Sequence, residues 1–394
     1  MVNLCDDRYR FLVAYAAALN VGHTVLLPPS RADQVVTDVE TANAGSYRFD
    51  DAAVDAVLQA PPSAAANLNT RIPSDHTVMV GYTSGSTGQP KSYPKSWRSV
   101  SASTACNAES IRAALIDKAA MAWLLATVPP QHMYGMEMSI LLPLIGGMAV
   151  HAGRPLFPAD IAAALAELPR PRVLISTPVH LRAMVESALE FPAVDVVVSA
   201  TAPLDRSLAA AVTAKLGGKM VEMFGSTETC VFASRHTAHE DSWSLYEGVR
   251  LEPEPDRTLV HAPWFVEPIP LQDIVELQEG NRFTVRGRSS DMIEVAGKRA
   301  SLSDLTRRLL AIDGVLEAAV FQPDADAVGT IRRVAALVVA PNLTARDVLY
   351  RLAGGVDSAF MPRPLLIVDR LPRNELGKLP RENLIRALRG SGRG

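Results

Sequence analysis

The sequence is short of paired cysteines, of long apolar runs and of any excess of one charge. Its three cysteines, Cys5, Cys106 and Cys230, are widely spaced and odd in number. That excludes a disulfide framework, the absence of a CxxC pair argues against structural zinc, and a reducing cytoplasm is the compartment such usage fits. The longest apolar stretch, Met138 to Val150, has about 13 positions with Pro143 and two glycines inside it, where a membrane span needs roughly 20. No basic stretch leads into an apolar run near Met1, so the opening does not read as a secretory signal. Lys and Arg number 39 against 42 Asp and Glu, a formal charge of −3, which speaks against a general grip on nucleic acid or acidic membrane. No repeat at solenoid or propeller spacing is visible.

What is there is the composition of a soluble globular enzyme, with 48% apolar and 21% charged residues. At roughly 150 residues per domain, 394 residues predict two to three domains. Short apolar runs at Thr77–Tyr82, Met121–Val128, Arg172–Ser176, Val194–Ser199 and Met220–Phe224 read as buried strands. Between them Asn107–Ile116, Ala159–Leu168, Val179–Leu189 and Leu204–Leu216 carry apolar residues at helical spacing. This alternation predicts parallel βαβ units with helices on both sheet faces, and an α/β domain spanning residues 1–288. The pattern changes around Gly287-Arg288-Ser289-Ser290. Residues 289–394 predict a small α+β domain: strands at Met292–Val295, Leu316–Phe321, Val334–Val339 and Leu365–Val368, with helices at Ser301–Ile312, near Ala345–Leu352 and from Arg381. Ser301-Leu302-Ser303-Asp304 has the form of a helix capping box. The last five residues, from Gly390, read as a disordered tail.

Ligands of parallel α/β sheets bind beyond the carboxyl ends of the strands. After the first strand comes Thr83-Ser84-Gly85-Ser86-Thr87-Gly88-Gln89-Pro90-Lys91, whose hydroxyls, backbone N–H groups and lysine are suited to surround a phosphate chain. It is not the common P-loop, because Pro90 stands where that pattern has glycine before lysine. The second strand leads into Pro129-Pro130-Gln131-His132-Met133-Tyr134-Gly135, the fourth into Ala200-Thr201-Ala202-Pro203, and the fifth into Gly225-Ser226-Thr227-Glu228. Four such loops at one sheet edge would converge on one cleft.

These residues carry a resemblance. Tyr82–Lys91 (YTSGSTGQPK) resembles the phosphate loop of the adenylate-forming superfamily of acyl-CoA synthetases, aryl-CoA ligases, adenylation domains and luciferases. Phe224–Glu228 is similar to its aromatic-G-x-T-E motif. Asp273 with Ile274 and Val275 resembles its ribose-binding motif, with Leu271 and Gln272 where Thr and Gly are usual. Gly287-Arg288, Asp291 and Gly297-Lys298-Arg299 resemble its hinge, and Leu376-Gly377-Lys378 with Arg381 its C-terminal lysine motif. The resemblance implies a large N-terminal body with mainly parallel sheets and a small mobile C-terminal domain carrying the lysine. It implies that Thr83, Ser84, Gly85, Ser86, Thr87, Gly88 and Lys91 hold the β- and γ-phosphates of ATP. Phe224 would flank adenine with Thr201 and Ala202 at its edge, Thr227 would contact the α-phosphate, and Glu228 would bind Mg²⁺. Asp273 would take the ribose hydroxyls with Arg288 assisting, and Lys378 would reach the substrate carboxylate. Positioning and electrostatics would supply most of the catalysis, so Lys378→Ala is expected to slow adenylation by at least about 10²-fold.

Adenylation domains for amino acids place an Asp after the second strand, and here the only acid there is Glu137. His132-x-x-Gly135 instead resembles loops of acyl- and aryl-CoA ligases, which implies a carboxylic acid without an α-ammonium. His132, Tyr134, Gly135, Val231 and Phe232 would line its pocket. Asp7–Phe11 and Leu26–Ser30 also look like AMP-ligases of aryl-polyene and xanthomonadin pigment clusters, implying a hydroxyaromatic acid and an acyl carrier protein. The thiol acceptor, coenzyme A or carrier phosphopantetheine, would enter past Gly297. Three features depart from the family: a shorter stretch before the phosphate loop, Ser290 at the hinge and Ser92 after Lys91. They keep open a catalytically weak nucleotide-binding relative that acts as a partner protein, and an enzyme that stops at acyl-AMP. His236-x-x-His239 with Cys230 lacks a fourth metal ligand.

Overall fold

The computed structural model describes residues 1–60, 71–84, 90–254, 257–288, 292–295, 298–323, 334–373 and 379–390. Internal packing divides the chain into two compact units. The large unit comprises Met1–Leu251, Val260–Ile269 and Gln278–Phe283, and the small unit Glu252–Leu259, Pro270–Leu277 and Thr284–Gly394. Among the described residues no helix is long and apolar enough to cross a membrane.

In the large unit, the strands Trp123–Ala126, Arg172–Ser176, Val196–Ser199 and Lys219–Ser226 run parallel as neighbours, with Ala149–Val150 parallel at the outer edge. Cys230–Arg235 then turns back antiparallel, followed by Trp243–Leu245 and the first residues of Arg282–Arg288. Register aligns Leu125, Leu174, Val197 and Met220 across four strands on one face. That row is buried against Ile161 and Leu165, Leu181 and Met184, and Leu208 and Val212. These come from the helices Pro158–Glu167, Pro178–Glu186 and Arg206–Leu216. Each fully buried aliphatic side chain in such a layer contributes roughly 1.5–3 kcal/mol.

The expectation that all four functional loops share one sheet edge is corrected for the first of them. Thr77–Ser84 belongs to a separate five-stranded sheet in the order Arg48–Phe49, Val2–Asn3, Val25–Leu27, Thr77–Ser84, Pro90–Ser96. The physical reason is the hairpin: Pro90–Ser96 pairs antiparallel with Thr77–Ser84, and Val25–Leu27 pairs parallel along its other side, so both edges of the strand are filled. The helix expected from Asn107 begins instead at Trp97, capped by the Ser96 hydroxyl, and runs to Ala114.

In the small unit, the sheet Glu317–Phe321, Ala335–Val339, Leu365–Ile367 is buried on both faces. Alternate residues Ala318, Val320, Ala336 and Val338 pack with Leu305, Leu309, Val348 and Leu352 of two helices, Leu302–Leu310 and Ala345–Ala353. Ala319, Phe321, Leu337 and Val339 pack with Leu384 of the helix Arg381–Gly390. Only half of the capping box at Ser301 forms: its hydroxyl accepts from the Asp304 N–H, while the Asp304 carboxylate pairs with Arg307 and Arg308. A reciprocal box stands at Thr344 and Asp347. The expected tail beyond Gly390 lies outside the described residues.

Candidate active site

The hairpin fixes the ends of the glycine-rich loop, with Thr83 opposite Lys91 and Ser84 opposite Pro90. Gly85, Ser86, Thr87 and Gly88 lie outside the described residues. Lys91 is exposed, its ammonium 5.4 Å from the centre of the Tyr93 ring. Because strand side chains alternate, Lys91, Tyr93 and Lys95 share one face.

Lys95 and Tyr93 meet the turn after Lys219–Ser226. The Lys95 ammonium, 4% exposed, donates to the Glu228 carbonyl. Burial pushes the Glu228 carboxyl up, but the Ser226 hydroxyl, its own backbone N–H, the Tyr93 hydroxyl and the charge of Lys95 outweigh it and hold it below the ordinary carboxylate range. The turn closes on itself: the Ser226 N–H donates to Thr229 Oγ1 (3.1 Å), and the Thr229 N–H donates to Ser226 Oγ (3.3 Å). A Cβ at Gly81 would stand 3.1 Å from Thr227 Cγ2 and 3.2 Å from Met133 Sδ. Glycine there lets hairpin, turn and the segment after His132 close up. Phe224 is half-buried, its ring 4.9 Å from Trp243, 5.4 Å from Phe232 and 5.5 Å from Phe283.

His132 caps the short helix Met133–Met136 with its backbone, its carbonyl accepting from the Met136 N–H at 2.7 Å, and its side chain is half-buried. A Cβ on Gly135 would lie 2.0 Å from the Pro129 carbonyl oxygen, so only glycine fits. Tyr134 is buried, and its hydroxyl donates to the Val198 carbonyl at 3.1 Å. Glu137, the one acid after the second strand, opens a five-residue π-helical turn and is 2% exposed. Its carboxylate accepts from Ser103 (2.9 Å), Asn107 (3.3 Å) and the Val231 N–H (3.0 Å). Burial raises its pKa above the ordinary value despite these donors. Val231 and Phe232 are buried, Phe232 wholly within the aromatic cluster.

Thr201 and Ala202 are exposed in the loop after Val196–Ser199, Thr201 with φ of 77°. Asp273 opens the strand Asp273–Gln278 in the small unit, and its carbonyl accepts from Thr258 Oγ1 at 2.8 Å. Arg288 ends the strand Arg282–Arg288. Lys378 and Gly297 lie outside the described residues. Thr227 and Glu228 are thus brought to the hairpin that bears Thr83 and Lys91. Sequence reasoning missed Lys95 and Tyr93, although the alternation Lys91, Tyr93, Lys95 was a usable signal.

A carboxylate kept ionised, as Glu228 is, suits Mg²⁺, which takes one or two carboxylates and completes its shell with phosphate and water. Among the described residues no three His, Cys, Asp or Glu side chains cluster as a metal site.

Comparison with known proteins adds a family, two relatives and two solved structures. The family described as AMP-binding enzyme matches residues 11–253. The chain is 29% identical to a 4-coumarate–CoA ligase of Halorhodospira halophila, covering 78% of this chain and 76% of that protein. It is 27% identical to a probable 2-succinylbenzoate–CoA ligase of Mycobacterium tuberculosis, covering 80% and 86%. ATP-bound MatB from Rhodopseudomonas palustris has the same fold, with a TM-score of 0.79 at 20% identity over 98% of this chain and 88% of that one. MenE of Bacillus subtilis in complex with AMP gives a TM-score of 0.77 at 18% identity over 97% and 87%.

Proposed function

The chain belongs to the AMP-binding enzymes of the adenylate-forming superfamily, and we propose that it joins a carboxylic acid to a thiol in two ATP-dependent half-reactions. In the first, a carboxylate oxygen of the acid forms a bond to the α-phosphorus of ATP and the bond to pyrophosphate breaks. In the second, a thiol sulfur bonds to the acyl carbon and AMP leaves. The acid is a small aromatic or hydroxyaromatic one without an α-ammonium, and the thiol belongs to coenzyme A or to the phosphopantetheine of an acyl carrier protein. The CoA ligase names of the relatives support the reaction class and coenzyme A as acceptor.

The observation that carries the reading is the meeting of Gly81, Thr227 and Met133, with Glu228 tied to Tyr93 and Lys95. Lys91 and the hydroxyls of Thr83 and Ser84 would hold the phosphate chain. Thr227 would donate to the α-phosphate and Glu228 would hold Mg²⁺, which when bound offsets charge building on the phosphoryl oxygens. Phe224 would flank adenine, Thr201 and Ala202 would border it, and Asp273 with Arg288 would orient the ribose. His132 would face the acid carboxylate, and Lys378 would bring a positive charge to the reacting oxygens.

The test is acid-dependent pyrophosphate release with ATP and Mg²⁺ across benzoic, hydroxybenzoic, cinnamic, short fatty and amino acids. Release with an aromatic acid, slowed at least about 10²-fold by Lys378→Ala, is the expected result. Silence across the panel together with tight ATP binding would replace the enzyme with a nucleotide-binding partner protein.

A further inference from the structure

Three neighbouring strand ends in the large unit carry hydroxyls that the reaction above does not use. Ser176 pairs with Ser199 across parallel strands, and the Thr127 N–H donates to the Ile175 carbonyl at 3.0 Å, which sets Thr127 beside Ser176. Each lies two residues beyond a member of the apolar row Leu125, Leu174 and Val197, hence on the same sheet face. All three have no exposed surface. Thr127 Oγ1 lies 2.7 Å from His180 Nδ1 and 3.1 Å from Ser176 Oγ. The Ser199 hydroxyl has no hydrogen-bond partner among the described residues. A buried orphan hydroxyl is unfavourable unless something else satisfies it.

Two arginines gather at the same place, and neither is in an ion pair among the described residues. The Arg8 guanidinium is fully buried and donates to the carbonyls on either side of Thr127, Ala126 at 2.9 Å and Val128 at 3.2 Å, and to the Ser139 hydroxyl. The Arg8 N–H donates to the Ala152 carbonyl at 3.1 Å, which lays the segment leading to Arg154 against it. Arg154 is half-buried and forms no ion pair among the described residues. After burial, the charge of Arg154 is the next cause disfavouring protonation of both His180 and Arg8. The one carboxylate acting on Arg8 is Asp7, already committed to the Arg10 N–H at 2.9 Å and to the Arg10 guanidinium. Crowded, partly desolvated cations whose nearest acid is engaged elsewhere favour an anion. Tyr134 links this place to the acid-binding segment, since its hydroxyl rests on the Val198 carbonyl beside Ser199.

We propose that Arg154, His180 and the hydroxyls of Thr127, Ser176 and Ser199 form a subsite for a second carboxylate, so that the enzyme activates one end of a dicarboxylic acid. The proposal rests on the ligase reading and narrows its substrate from an aromatic monoacid to an acid with a second anionic end. The Arg154 fork takes the carboxylate in bidentate fashion, and the serine hydroxyls donate to its remaining lone pairs.

The test uses the full chain with AMP present. Calorimetry compares benzene-1,4-dicarboxylate with benzoate, and linear diacids with monoacids of equal length, on wild type, Arg154→Ala, Arg154→Lys and Ser199→Ala. Pyrophosphate release with ATP is measured on the same acids. The expected result is at least one diacid binding about tenfold or more tighter than its monoacid, the size of one charge-assisted contact. Arg154→Ala should erase that preference without weakening the monoacid, and Arg154→Lys should keep part of it. Equal binding of every diacid and its monoacid to wild type, or equal loss of both in Arg154→Ala, overturns the subsite. A diacid preference without pyrophosphate release from any acid upholds the subsite and sinks the ligase reading. Release with monoacids and no diacid preference does the reverse.

Discussion

The Lys95 ammonium donates to the main-chain carbonyl of Glu228, 133 residues further along the chain. This contact ties the second strand of the hairpin to the turn that holds Thr227 and Glu228. Lys95→Met removes a charge-assisted hydrogen bond worth about 1.5–3 kcal/mol. The expected outcome is a roughly ten- to hundredfold rise in the KM for ATP, read by pyrophosphate exchange at varied ATP. An unchanged KM would mean that the turn holds its shape without Lys95.

Gly135 admits no side chain, because its Cβ would collide with the Pro129 carbonyl. Gly135→Ala must push the helix Met133–Met136 away from the loop before it. Overpacking of this kind costs about 1–3 kcal/mol, a fall in Tm of roughly 3–10 °C for a body of this size. Thermal melts followed by circular dichroism check it, and a Tm equal to wild type refutes it.

Glu137 makes stability depend on pH in a definite sense. Burial raises its carboxyl above the ordinary value of 4.5, so the folded chain holds that proton more tightly than the unfolded chain. Its contribution is therefore complete below the unfolded value and is lost as pH rises through the folded one. Denaturant titrations between about pH 4 and pH 8 should show wild type losing ground to Glu137→Gln as pH increases. A gap that moves the other way would contradict the raised value.

Thr201 holds a left-handed backbone with φ of 77°, a conformation that penalises a β-branched residue by roughly 1–2 kcal/mol. Thr201→Gly should stabilise the chain by up to about 1 kcal/mol once the added freedom of glycine is subtracted. Chemical denaturation measures the difference. A clear loss of stability would show that the threonine side chain contributes more than its backbone strain removes.

The strands Arg172–Ser176 and Met292–Val295 were legible to the residue, because apolar runs bounded by turn residues have few alternatives. Pro90–Ser96 was not: PKSYPKS has two prolines and no β-branched residue, and it is a strand because Thr77–Ser84 offers an edge. The first turns of the helix Trp97–Ala114 were hidden for a related reason, since its buried face uses Ser99, Ser103 and Thr104. At the site, Thr227 and Glu228 could be named from the resemblance of Phe224–Glu228 to a family motif. Arg8 and Glu137 could not, since their partners are contributed by segments about a hundred residues away or by helices whose packing is a tertiary matter. Burial of a charge leaves no mark in local sequence.

Trp243 lies with its ring centre 4.9 Å from that of Phe224, and the Arg235 guanidinium sits 4.3 Å over the same indole. Of the four tryptophans, it is the one in ring contact with Phe224. Indole emission responds to nearby charge and to the packing of neighbouring rings. The protein therefore carries a label-free optical gauge of Phe224, and Trp243→Phe is its dark control.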